Sequence, residues 1–135
     1  MSSHFHAMVW IDHHQAKVFH FNSTESECNT VHSSSPTVHL HHKANSGDSG
    51  HAPVDNNYLE QVVKTLGAAG AILITGPGSA KNELAAYIKR AHSAIAPRIS
   101  AVETLDHPTE GELLAHGRTF FKADDRMHSQ TSRKA

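Results

Sequence analysis

The chain of 135 residues holds one cysteine, Cys28, so no disulfide can form within it, and a reducing, cytoplasmic setting is expected. Aromatic residues make up 6% of the sequence, with a single Trp and two Tyr, too few to suggest a platform for stacking bases. Neither sign of charge prevails: 12 Lys and Arg stand against 13 Asp and Glu, a formal net charge of −1, which excludes a strongly basic nucleic-acid binder. No apolar run approaches the ~20 residues of a membrane-crossing helix. The opening MSSHFHAMVW lacks the basic segment and apolar stretch of a secretory leader. Neither a membrane nor DNA is therefore an expected partner. What the chain has in excess is histidine, 14 residues, whose protonation near pH ~6.5 would turn it cationic in mild acid.

Ala7 to Ile11 is apolar at every position and rich in strand formers, which predicts a central strand. Polar Asp12 to Ala16 reads as a turn, and Lys17 to Phe21 as the returning strand of a hairpin, with Lys17, Phe19 and Phe21 on one face and Val18 and His20 on the other. A third strand is expected near Thr37 to His42, with Cys28 to His32 either extending it or forming loop. His42 to Pro53 is rich in Gly, Ser, Asn and Asp and reads as an exposed loop. Helix periodicity follows: Tyr58, Leu59, Val62, Val63 and Leu66 form one stripe, opened by Asp55 as N-cap and closed by Gly67.

Ala71 to Ile88, AILITGPGSAKNELAAYI, is the most informative stretch. A short apolar run stops at Thr75-Gly76-Pro77-Gly78, where glycine allows backbone angles that other residues avoid and proline stiffens the turn. Ser79 is placed to cap the following helix, whose expected inner face is Leu84, Tyr87, Ile88, Ala91 and Ile95. A further strand from Ile99 to Leu105 leads to a third helix opened by a Thr109/Glu112 capping box, with Leu113, Leu114, Phe120 and Phe121 facing inward. Residues 1–4 and the polar tail 122–135 are expected to be disordered, leaving one domain over 5–121. The order is hairpin, strand, then alternating helices and strands. It predicts an α/β ribonuclease-H-like fold in three layers: a five-stranded mixed sheet, three antiparallel strands and then two parallel ones, with three helices.

The segment with Gly76, Pro77, Gly78 and Lys81, followed by Tyr87-Ile88, resembles one in the middle domain of the archaeal and eukaryotic class-1 release factors and of the ribosome-rescue factor Pelota. The opening hairpin Ala7 to Phe21 is similar to the start of that domain, and the resemblance spans roughly Phe5 to Phe121. It implies a ribonuclease-H-like fold and a partner in the ribosome or tRNA. It also implies that the connection between third strand and first helix, residues 41–53, is where the release factors carry the Gly-Gly-Gln tripeptide that promotes peptidyl-tRNA hydrolysis. This chain has HHKANSGDSGHAP there, with Gly47 and Gly50 apart, and none of Gln15, Gln61 and Gln130 follows a glycine pair. Non-catalytic binding is the expectation that follows. Flanking codon-reading and partner-binding domains do not fit within 135 residues, so stop-codon recognition is not expected.

The glycine corner also suggests an RNA-phosphate site built from Gly76, Gly78, Ser79 and Lys81, with Lys43 from the loop; the plain alternative is a strand-to-helix turn with an exposed lysine. The spacing is not that of a Walker A loop. Lys81, Lys89, Arg90, Arg98, Arg118 and Lys122 would form a basic patch if they shared one surface. A rival reading is a Mg- or Mn-dependent nuclease with Asp12 at the end of the first strand joined by Glu103 and Asp106, with Glu60 on the first helix a further carboxylate. A second rival is a small metal-responsive or stress-related homo-oligomer in which His39, His41 and His51 bind Zn or Ni weakly, with no other cofactor expected. Cys28, with no Cys-His context, is not expected to act as a nucleophile. A protein partner is compatible with any of these readings.

Overall fold

A computed structural model of the chain describes residues 6–22, 25–33 and 55–132, with side chains as far as Ala123. Strand β1 (His6–Ile11) is buried from Ala7 onward, as an all-apolar run demands of a strand covered on both faces. Its side chains alternate between two cores, Ala7, Val9 and Ile11 in one and Met8 and Trp10 in the other. Asp12 then turns the chain. Its Oδ1 accepts the N–H groups of His14 (2.8 Å) and Gln15 (2.9 Å), while its own N–H donates to the Gln15 carbonyl at 3.0 Å. Strand β2 (Gln15–Phe21) returns antiparallel with Val18 opposite Val9. Val18 joins the first core and Phe19 and Phe21 the second, as the alternation predicted.

Strand β3 (Ser26–His32) pairs antiparallel with β2, Cys28 opposite Phe19. Cys28 to His32, expected to extend a strand or form loop, is thus strand, and the strand expected at Thr37 to His42 lies outside the described residues. Only Val31 of β3 is buried, so the strand carries little hydrophobic signal of its own. The turn before it specifies the pairing: the Asn22 side chain accepts the Glu25 N–H at 2.8 Å. Arg118 holds the same turn, donating to the Asn22 carbonyl (2.8 Å) and the Glu25 carbonyl (3.3 Å).

Helix α1 (Asn56–Leu66) buries the whole predicted stripe, Tyr58, Leu59, Val62, Val63 and Leu66. Each such side chain contributes about 1.5–3 kcal/mol. Asp55 caps it through the Asn57 N–H, and Gly67 ends it at φ 61°, the one left-handed residue among those described. Strand β4 (Ala71–Gly76) is buried throughout, helix α2 (Ala80–Ala91) follows, and a short 3-10 turn (Ala96–Arg98) leads into strand β5 (Ile99–Thr104). Leu84 and Ile88 of α2 are buried and Tyr87 is partly so, but Ala91 is exposed, because the helix ends there and lifts off the core.

Helix α3 (Glu110–Ser132) begins with the capping box: Thr109 N–H donates to Glu112 at 2.8 Å, and Glu112 N–H to the Thr109 hydroxyl at 3.1 Å. Its backbone continues past Phe121 into the segment expected to be disordered, which contains neither proline nor glycine to stop a helix. At Gly117 an added Cβ would lie 3.0 Å from Phe21 and 3.2 Å from the Met8 sulfur, so glycine lets α3 approach the sheet closely.

The sheet order is β3-β2-β1-β4-β5, with β1, β4 and β5 parallel, as the ribonuclease-H-like reading anticipated. Helices α1 and α2 pack with Val9, Ile72 and Ile74 on one face, and α3 packs with Met8, Trp10 and Leu73 on the other. Three layers result, with three α-helices among the described residues.

Candidate functional site

The parallel strands direct the Gly76-Pro77-Gly78 corner to the carboxyl edge of the sheet. Gly76 is there for space rather than for backbone angle. A Cβ on it would sit 2.2 Å from the Ile11 carbonyl oxygen, so β1 and β4 could not stay paired, and neither glycine of the corner has positive φ. Around Gly78 no atom lies within 4 Å of an added Cβ. The Thr75 hydroxyl, fully buried, donates to the Val9 carbonyl at 2.8 Å and locks the same two strands.

Ser79 precedes α2, but its side chain makes no hydrogen bond to the backbone of the first turn; the hydroxyl meets Glu83 Oε2 at 3.4 Å instead. Residue 79 has φ −83° and ψ −15°, already helical, which directs the hydroxyl along the helix side rather than over its end. Lys81 departs from the exposed lysine of the plain reading. It is 8% exposed, its stem is packed beside the corner, and its Nζ donates to the Gly78 carbonyl at 2.5 Å. Lys43 lies outside the described residues.

The carboxylates of the nuclease reading each have other work. Asp12 holds its hairpin turn, and its carbonyl accepts the Tyr58 hydroxyl at 2.9 Å. Burial, and then the charge of Asp12, pushes the Tyr58 hydroxyl far above its ordinary pKa. Glu103 Oε1 pairs with His116 Nε2 of α3 at 2.7 Å, and Asp106 pairs with its neighbour His107 at 3.0 Å. Among the described residues no group of three or more His, Cys, Asp or Glu is placed to hold a metal ion. His39, His41 and His51 lie outside them. Cys28 is exposed on β3, and burial of its sulfur, followed by Glu110, raises the thiol pKa, which leaves little thiolate at neutral pH.

Two further arrangements escaped the sequence reading. Trp10 donates its indole N–H to the carbonyls of Leu105 and Asp106, both at 3.1 Å, and pins the loop after β5 to β1. Glu60 of α1 accepts from the Tyr87 hydroxyl (2.5 Å) and from His92 Nε2 (2.7 Å), clasping α1 to the end of α2. Tyr87 first, and then His92, hold the Glu60 carboxyl below the usual range, while Glu60 raises the Tyr87 hydroxyl. These partners lie 27 and 32 residues from Glu60, with no local pattern to reveal them.

The expected basic patch divides. Lys89 and Arg90 lie on α2 and Arg118 and Lys122 on α3, on opposite faces of the sheet, and Arg118 is committed to the β2–β3 turn.

Comparison with solved structures settles the fold. The Archaeoglobus fulgidus Pelota structure superposes with a TM-score of 0.58 at 13% identity, covering 96% of this chain and 38% of that one. The Thermoplasma acidophilum Pelota protein gives 0.55 at 21% identity over 78% of this chain and 29% of that one. The archaeal translation termination factor aRF1 gives 0.54 at 11% identity over 93% of this chain and 39% of that one. The chain has the fold of a Pelota/aRF1 middle domain. It spans well under half the length of each of these three proteins. No protein-family model and no curated protein matches the sequence. Among the described residues no helix is long and apolar enough to cross a membrane.

Proposed function

We propose that this chain is a translation-associated binding module of the Pelota/aRF1 middle-domain type, which contacts the ribosome or tRNA and performs no hydrolysis. The observation that carries this reading is the extent of the likeness: 93–96% of the chain follows the fold of aRF1 and of A. fulgidus Pelota. Two features support the non-catalytic part. The sequence holds no Gly-Gly-Gln, and Asp12, Glu103 and Asp106 are each engaged in separate hydrogen bonds. The protein therefore acts in the cytoplasm by occupying a surface of the translation machinery.

The test is co-sedimentation of the tagged protein with ribosomes through a sucrose gradient, with a parallel peptidyl-tRNA hydrolysis assay. The expected result is a ribosome-associated fraction with no release of peptide. Absence from all ribosomal fractions, with tRNA also failing to bind, would sink the proposal.

A further inference from the structure

The fold sorts charge between the two edges of the sheet. Because β1, β4 and β5 run parallel, their carboxyl ends share one edge with the starts of all three helices. Among the described residues that edge carries Asp12, Asp55, Glu83, Asp106, Glu110 and Glu112, while its lysines are spoken for: Lys81 turns inward to Gly78, and Lys17 pairs with Glu110 at 3.5 Å. A phosphate approaching the glycine corner would face these carboxylates.

The opposite, amino edge is where α1 and α2 end, and there the balance reverses. Lys64 occupies the last turn of α1, and Lys89 and Arg90 the last turn of α2. Arg98 reaches the same place, its Nη1 donating to the Ala69 carbonyl at 3.4 Å. Glu60 faces α2 through Tyr87 and His92, and Lys64 stands one turn further along that side of α1, close enough to act on the Glu60 charge. The Arg90 guanidinium lies 5.5 Å from the centre of the Tyr87 ring. Lys64 and Arg90 therefore flank one clasp, in which Glu60 is already shared by Tyr87 and His92, while Lys89 shares the last turn of α2 and Arg98 lies beside the chain leaving α1. Among the described residues no ion pair joins Lys64, Lys89, Arg90 or Arg98 to a carboxylate. Among the residues whose side chains are described, the other acids of this edge are Glu25 and Glu27, which belong to the β2–β3 turn and β3, across the sheet from β4.

We infer that the converging ends of α1 and α2, with Lys64, Lys89, Arg90 and Arg98, form a docking surface for the phosphate backbone of structured RNA. The acidic opposite edge would repel the same backbone and so fix the orientation of approach. The cations have no large exposed apolar residue beside them to anchor a lipid surface; Val102 on β5 is the exposed large hydrophobic among the described residues. The inference rests on the RNA-contact reading above and narrows the expected basic patch to Lys89, Arg90 and Arg98, joined by Lys64 of α1. Cations at helix ends also offset the helix dipole. That role alone would lower stability on charge reversal and leave RNA affinity unchanged.

The full chain is titrated against a fluorescein-labelled tRNA transcript by anisotropy across a series of salt concentrations. Lys64→Glu/Lys89→Glu should weaken binding by about tenfold or more and lower the slope of log affinity against log salt by about 2. The neutral pair Lys64→Gln/Lys89→Gln should move in the same direction by less, and guards against misfolding of the reversed pair. Lys122→Glu, on the other face, should change affinity by less than about twofold. Failure of the wild type to bind the transcript would overturn the inference. So would equal affinity of both double variants and wild type, an equal loss from Lys122→Glu, or capture by phosphatidylserine vesicles in place of RNA. The parallel assays separate the two proposals. Wild-type protein that binds the transcript but releases peptide in the peptidyl-tRNA hydrolysis assay removes the non-catalytic reading and leaves this surface. A reversed pair that sediments with ribosomes and binds the transcript like wild type removes the surface and leaves the translation reading.

Discussion

Gly76→Ala and Gly78→Ala are the same chemical change two residues apart, and the structure assigns them opposite outcomes. At position 76 the new methyl would meet the Ile11 carbonyl oxygen at 2.2 Å, against an ordinary carbon–oxygen contact near 3.4 Å. That oxygen is backbone, held in the β1–β4 ladder, and cannot rotate away, so the strands must part by about an ångström. Overpacking of this kind costs about 1–3 kcal/mol. The bond from Leu105 N–H to the Gly76 carbonyl, at 3.0 Å, lies on the same segment and would be strained with it. Its loss adds about 1 kcal/mol, for a sum of roughly 2–4 kcal/mol. For a domain of this size that lowers Tm by roughly 8–16 °C. At position 78 the methyl enters open space at a residue without positive φ, so Gly78→Ala should be neutral or stabilise by about 0.4–1 kcal/mol through the unfolded chain. Thermal and urea unfolding followed by far-ultraviolet circular dichroism measures both. A Gly76→Ala protein within about 0.5 kcal/mol of wild type, or two variants equally destabilised, would refute the close-approach argument.

Tyr87→Phe should change the shape of the stability–pH curve. The Glu60 contribution is present above its unfolded value of about 4.3 and fades as pH falls through its lowered folded value. The Tyr87 contribution is present below about 10 and fades as pH rises through its raised folded value. The variant should therefore lose stability at neutral pH and show a shallower decline at both extremes; curves that stay parallel to wild type would contradict the clasp. Asp12→Ala removes the acceptor of two turn N–H groups and should cost about 1–2 kcal/mol in urea unfolding. It should leave RNA incubated with Mg²⁺ or Mn²⁺ as intact as wild type does, whereas wild-type cleavage that Asp12→Ala abolishes would restore the nuclease reading. Thr109→Ala should cost about 1 kcal/mol, and adding Glu112→Ala should cost less than the sum of the singles, since both belong to one reciprocal cap.

Elements whose own side chains meet a core were legible from sequence. The unbroken apolar runs of β1 and β4, the stripe of α1 and the Thr109/Glu112 pair each carry their structure locally. Strand β3 was legible only as one of two alternatives for Cys28 to His32, because Ser26 to His32 is mostly exposed and is a strand by virtue of its pairing with β2. The glycine corner was found, but its reason was not. The demand on Gly76 comes from Ile11, far back in the chain, and Lys81 appears solvent-facing in a helix whose first turn in fact packs over the corner. The Glu60–Tyr87–His92 and Glu103–His116 contacts depend on how helices sit against neighbouring elements, which periodicity does not specify. The same holds for the basic residues, whose division between two faces follows from the alternation of β1 side chains between two cores.

Trp10, the sole tryptophan, is 4% exposed and tethers β1 to the chain leaving β5. Its fluorescence is therefore a built-in optical gauge of whether that last parallel strand is seated. Native protein should emit in the blue, and release of the tether should shift emission to the red before any loss of helical ellipticity. Detachment of the β5 margin can thus be timed separately from melting of the helices, with no label added.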